Sequence, residues 1–404
     1  MLRAKQPTLH RLNALRVCGE FLVVHAHYYS GIYADAHGYY PAGLWEGSDV
    51  MSFFFVLSGF VAMYSNMDND ELSTLSYIAI KVAKTYPLYL LVILINLISE
   101  AVHGSFNSQI ICTWDRVCVL AEILAVAGWC CKKINSVMGV GWYIATLYYM
   151  WLCFPVLRGY VKRYGSQYTW LKMALLWFLV TAGWSSLKLI DTLDWDLRWY
   201  PPLRLPEFVL GMMAALKIDK PTHVAVPACS LAIILTYWAL ACAFFIHMPA
   251  LWALEANENE CVNSLINHNM SLPVAHNNEA YTKMAAVQGK FSILWALIVH
   301  YAAASEVSFY TTCFLDWDFF KSLSRFSLQL YMLHQTIKAL CSTLTRLIGF
   351  PDFFQIHTFI LVAYTASYAF YTYVQPLLDR TATYLITPRP KPVKLQALLP
   401  DDSI

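Results

Sequence analysis

The chain has 404 residues, 58% hydrophobic and 15% aromatic, and only 13% carry a formal charge. Soluble proteins carry about 25% charged residues, so this composition and a mean hydropathy of +0.46 exclude an ordinary water-soluble globule and indicate an integral membrane protein. A net charge of only +2, with no long basic run, excludes nucleic acid as a partner. The 11 cysteines lack metal-ligand spacing, so no metal is expected and membrane lipids are the expected surroundings.

The first predicted element is the apolar stretch LRVCGEFLVVHAHYYSGIY. A basic leader, MLRAKQPTLHRLNALR, runs into it without a small-residue cleavage site, the pattern of a retained signal anchor. Ionisable side chains inside a span are costly and usually face a protein interior or a watery path where they serve a function. Helical rise puts His27 about 16 Å beyond Arg16, near the middle of a ~30 Å hydrocarbon layer, with Arg16 at one surface. A lone histidine in a span is also commonly a packed residue bonded to a neighbouring helix. His25, about 200° from His27 around the helix, is assigned that structural role.

Apolar runs mark spans near residues 12–33, 46–66, 79–102, 139–157, 170–190, 205–217, 224–247, 290–305, 326–346 and 356–378. The expected fold is therefore all-α, a polytopic membrane protein of about ten transmembrane helices. Val117 to Cys131 is apolar but short, and a full crossing there would place Arg158, Lys162 and Arg163 on the outer side. It is expected to be re-entrant or interfacial. Residues 1–11 form a cytoplasmic N-terminus, 12–378 a single transmembrane domain and 379–404 a cytoplasmic tail, flexible around Pro388, Pro390 and Pro392. The Lys and Arg bias agrees with cytoplasmic termini. The stretch 255–283 falls outside and carries the sequon Asn269-Met270-Ser271. No internal repeat of the transporter kind is present.

Five motifs follow in order. Ser52-Phe53-Phe54-Phe55-Val56-Leu57-Ser58-Gly59-Phe60 breaks an apolar run with small residues, a pattern that by itself suits helix packing. Lys81-x-x-Lys84 runs into Thr85-Tyr86-Pro87-Leu88-Tyr89. Trp142-Tyr143-Ile144-Ala145-Thr146 precedes Pro155, and Arg204-Leu205-Pro206-Glu207-Phe208-Val209-Leu210-Gly211-Met212 comes later. Ser327-x3-Tyr331-Met332-Leu333-His334 closes the series. With Arg16-x10-His27 at the head, this order and spacing resemble the membrane-bound acyltransferase 3 family from about residue 10 to 380. The chain departs from the family at two points. Leu147 stands where many members have glutamate, and lysines 81 and 84 replace arginines, keeping charge but not the planar fork suited to phosphate.

The resemblance implies an enzyme that moves an acyl group, often acetyl, from cytoplasmic acyl-CoA to a hydroxyl of a carbohydrate or lipid-linked acceptor. Arg16, Lys81 and Lys84 are then candidates to grip the CoA phosphates, the other reading of the lysines being ordinary anchoring of helix ends. His27 is the candidate general base, and Arg16 and His334 join it as catalytic candidates. His334 lies roughly 12 Å into its span, either sharing a cavity with His27 or packed in the core. Ser58, Trp142, Arg204 and Glu207 are candidates for the acceptor side. Arg204 and Glu207 are spaced for an i, i+3 pair that either braces the fold or positions a polar acceptor at an outer mouth. No nucleophile cluster calls for an acyl-enzyme, so direct transfer is expected. A catalytically idle family member that binds, and a multi-pass transporter, are the competing readings.

Overall fold

The structure is a computed structural model that describes residues 10–37, 47–67, 69, 73–103, 113–130, 137–165, 169, 171–179, 200–217, 291–304, 318–348 and 352–386. Among these residues it is helical throughout, with no strand. The helices are α1 (His10–His37), α2 (Gly47–Asn66), α3 (Thr74–His103), α4 (Thr113–Ile123), α5 (Ala127–Cys130) and α6 (Gly141–Tyr164). They continue with α7 (Pro201–Ala214), α8 (Ser292–Ala304), α9 (Asp318–Ser324), α10 (Ser327–Ile348), α11 (Asp352–Tyr373) and α12 (Gln375–Ile386). The expected span 224–247, the loop 255–283 with its sequon, and Pro388, Pro390 and Pro392 lie outside the described residues. The last helix carries regular structure to Ile386, past the expected start of the tail at 379.

By length and hydropathy alone, one described helix is long and apolar enough to cross a membrane, Thr74–Ser99, with mean hydropathy 1.8. Val50–Asn66 and Ser292–Ala303 are apolar but shorter. The other long helices carry polar side chains that lower their mean: Arg16, Glu20 and His27 in α1, and Gln329, His334, Gln335 and Lys338 in α10.

The core is built around α2, which packs on α1, α7 and α8. Its closest partner is α7, and two glycines explain why. A Cβ built on Gly59 would lie 1.9 Å from the carbonyl oxygen of Phe208, and one on Gly211 would lie 1.9 Å from that of Val56. The two backbones touch where these side chains are missing, the small-residue packing that membrane helices favour. Ser52 meets Arg204 and Glu207 near one end, whereas Val56 and Gly59 meet Phe208 and Gly211 further along, so α2 and α7 run parallel. Arg158 of α6 caps the end of α2, donating from Nε to the carbonyl of Asn66 at 2.8 Å, one of the acceptors a helix terminus leaves open.

Helix α3 runs antiparallel to α6. Tyr77 faces Phe154, the Thr85 and Tyr148 hydroxyls are bonded at 2.8 Å, and Gly141 abuts the Tyr89 hydroxyl. As far as Cys130, the apolar stretch that starts at Val117 falls in two helices, α4 and α5, joined through Ala125 at φ 54, a left-handed conformation uncommon for alanine. This turn packs against the middle of α3. The Tyr86 hydroxyl donates to the carbonyl of Ile123 at 2.8 Å, and the Tyr89 hydroxyl to that of Glu122 at 2.6 Å. Asn96 does the same for Val137 at 3.1 Å, and Tyr331 for Val140 at 3.1 Å. Where the helices break, side chains of α3 and α10 thus satisfy the freed carbonyls, which an apolar setting requires.

Candidate functional site

Arg16, Glu20 and His27 share one face of α1, because eleven residues at 3.6 per turn return to within about 20° of the start. Arg16 and His27 are half-buried and Glu20 is buried. On α10, Tyr331, His334, Gln335 and Lys338 are spaced three or four apart and likewise share a face. The two helices run parallel, with Glu20 beside Ser327 and His27 beside His334.

The imidazole rings of His27 and His334 lie 5.1 Å apart between centroids, tilted by 36°. His334 is fully buried, and its Nδ1 donates to the carbonyls of Tyr331 at 2.7 Å and Leu330 at 3.2 Å. A carbonyl only accepts, so the neutral ring carries its proton on Nδ1 and a lone pair on Nε2. That Nε2 is buried and has no hydrogen-bond partner among the described residues. The backbone around it is clamped: the Tyr28 hydroxyl donates to the His334 carbonyl at 2.9 Å, and the Lys338 ammonium to the His27 carbonyl at 2.8 Å. On the other ring, Nε2 of the Gln335 amide lies 3.3 Å from Nδ1 of His27. His25 points elsewhere, with its ring 5.9 Å from that of Phe21.

Further along α1, Arg16 lies within electrostatic reach of Glu20, Lys81 and Tyr143. The Lys81 ammonium sits 5.6 Å from the centre of the Tyr77 ring and 5.5 Å from that of Trp151, at cation–π distance. The expected lysine pair is therefore divided. Lys81 turns into the protein beside Arg16, whereas Lys84 is exposed. A cavity of about 460 Å³ opens between the end of α2 and the start of α3, with Asn66, Asn69, Ser73, Tyr77 and Lys81 in its wall. The histidines do not line it.

The acceptor-side candidates form a third group. Arg204 donates from Nη1 to Oε1 of Glu207 at 2.9 Å, and the Ser52 hydroxyl donates to the same oxygen at 3.0 Å. The guanidinium stacks near the rings of Phe55 and Trp142, at 5.7 and 5.9 Å. The i, i+3 pair forms as its spacing predicts, because the helix continues through Pro206. It does not sit at an open mouth: Arg204 is 0% exposed and Glu207 1%, enclosed between α2, α6 and α7. Trp142 is buried in the same cluster, and Ser58 is half-buried against the Tyr143 hydroxyl. The Tyr143 ring, 5.0 Å from Phe55 and 4.9 Å from Tyr331, joins this cluster to α10. Leu147 packs in the core.

Glu20, Gln335 and Lys338 were not singled out from the sequence. The rule that selects Arg16 and His27, an ionisable residue inside an apolar run, also selects Glu20 and Lys338.

A helical protein that buries paired imidazoles beside a group of cations defines a class with means to handle both a proton and an anion. The chain belongs to the acyltransferase 3 family, whose acyltransferase domain matches residues 9–373. It is similar to acyltransferase MdmB of Streptomyces mycarofaciens, 27% identical over 189 residues. That match covers 42% of this chain and spans about half of the relative, 46%. No solved structure matches.

Proposed function

We propose that the protein is a multi-pass membrane enzyme that transfers an acyl group, acetyl in the simplest case, from cytoplasmic acyl-CoA to a hydroxyl of a carbohydrate or lipid-linked acceptor. The observation that carries this reading is the His27–His334 pair, with its buried, unpartnered Nε2 and an ammonium one turn away. A neutral imidazole beside a reacting hydroxyl takes its proton as the oxygen attacks the thioester carbonyl. The C–O bond forms, the C–S bond breaks, and the proton leaves with the thiolate. A donor held near the carbonyl oxygen stabilises its developing negative charge. Arg16 and Lys81 converge on one region and suit the donor's phosphates, with Lys84 at its exposed edge.

Membership of this family supports the membrane setting. So does an outward apolar stripe on α3, in which Leu90, Leu94 and Ile98 are 40, 51 and 55% exposed, a surface suited to lipid. The relative helix directions agree with ten alternating crossings. α1 with α10 and α2 with α7 run parallel, and α3 with α6 antiparallel, as first and ninth, second and sixth, and third and fourth spans would. The turn at Ala125, bonded to the middle of α3, suits a re-entrant segment.

The test is thioester cleavage by the full chain in detergent, with acetyl-CoA as donor and water or a surface glycan as acceptor. His27→Ala and His334→Ala should each lower turnover by roughly 10²- to 10⁴-fold while the melting temperature holds. Unchanged turnover in both variants would sink the assignment. Substrate flux across vesicles without release of free CoA would favour a transporter.

A further inference from the structure

The two rings of the histidine pair are held by different means. His334 is fixed by its own helix, because main-chain carbonyls one turn back take the Nδ1 proton. His27 has its Nδ1 against the side chain of Gln335, contributed by α10 from 308 positions away. With the amide nitrogen toward the ring, its N–H donates to Nδ1 of His27, which then carries its proton on Nε2. On the far side of the same amide is Gly139, in the break before α6. A Cβ built there would lie 2.5 Å from Oε1 of Gln335, so glycine leaves the space that the amide fills.

We infer that Gln335, seated on Gly139, is the positioning residue of this centre, holding His27 as a hydrogen-bond donor at Nε2 and leaving Nε2 of His334 as the proton acceptor. The inference rests on the acyl-transfer reading above. It assigns opposite polarities to the two rings. His334 receives the acceptor's proton, and His27 offers its N–H to the oxygen that gains charge. Other charged and titratable groups near His27 have described contacts of their own. Lys338 of α10 is bonded to the His27 main chain, Arg16 and Glu20 lie two or more turns back on α1, and His357 of α11 lies within electrostatic reach of His25. Tyr143 of α6 meets α10 through Tyr331.

The experiment uses the full chain in nanodiscs with acetyl-CoA as probe, and reads CoA release. Partners that orient a metal-binding imidazole are worth roughly 10- to 100-fold, and the lower end of that range is expected for a ring that handles a proton. Gln335→Leu should therefore lower kcat by at least about tenfold, with KM for acetyl-CoA within about twofold. Gly139→Ala should reproduce that pattern by displacing the amide. Gln335→Glu still reaches Nδ1 but accepts a proton there, reversing the polarity of His27, and kcat should fall as it does for leucine. Nitrogen-15 NMR of histidine-labelled wild-type protein, assigned with His27→Gln, should show His27 protonated on Nε2, a readout that depends on no variant folding well. The inference is overturned by kcat within twofold of wild type in Gln335→Leu or Gln335→Glu, or by a His27 signal with its proton on Nδ1. Wild-type turnover in His27→Ala and His334→Ala would instead remove the acyl-transfer reading itself.

Discussion

Two of the places where the described residues bury ionisable side chains do so in opposite ways. At the α2–α7 seam, Arg204 and Glu207 face each other at 2.9 Å, with Ser52 bonded to the shared oxygen and aromatic rings over the cation. Charge meets countercharge. Between α1 and α10, two imidazoles lie 5.1 Å apart, and a lone pair on one is left without a partner among the described residues. The first arrangement is what a fold needs in order to tolerate a charge in an apolar interior. The second retains an unmet bond, which is what a reaction can use. Burial alone does not separate brace from site; a countercharge held in contact does.

The comparison breaks first at Arg204. Removing one partner of a buried pair strands the other, so Arg204→Met should destabilise the protein by about 3–5 kcal/mol, read as a loss of melting temperature in detergent. The double variant Arg204→Met/Glu207→Leu should regain most of that loss and keep activity. A double variant that folds well but transfers nothing would make the pair part of the site. A smaller effect is expected at Gly59→Ala, whose methyl meets the Phe208 carbonyl. Forcing α2 from α7 should cost about 1–3 kcal/mol, again read thermally, with KM for the donor unchanged. The smallest is at the cation group: Lys81→Met should raise KM for acetyl-CoA about tenfold, roughly 1.4 kcal/mol, and leave the melting temperature in place. Lys84→Met, on the exposed edge, should do less.

Much of this was legible in the sequence, for identifiable reasons. Arg16 and His27 stand out because hydrocarbon penalises charge, and the i, i+3 spacing of Arg204 and Glu207 encodes a contact within one helix. Helix existence follows from apolar runs, and the shortness of Val117 to Cys131 marks the broken segment. Contacts across long separations were not legible. Nothing local to Gln335 or Gly139 reveals that they meet, and the Arg204 pair could be assigned to an outer mouth because spacing says nothing about burial. Tyr86 and Tyr89 belong to the motif that follows the lysine pair, and nothing local shows that their hydroxyls complete the main-chain bonding of a segment over thirty residues away. The expected lysine pair was divided for a similar reason: residues three apart on α3 lie about 60° from each other, enough for one to face the protein and the other to leave it.

The glycine contact between α2 and α7 has a further consequence for traffic. Where Gly59 meets Phe208 and Gly211 meets Val56, main chain lies directly on main chain. A fatty acyl tail or a sugar ring is several ångströms thick, and neither can slip through such a seam without prising the helices apart. The seam acts as a gasket, so any route by which an acceptor reaches the histidines must skirt it.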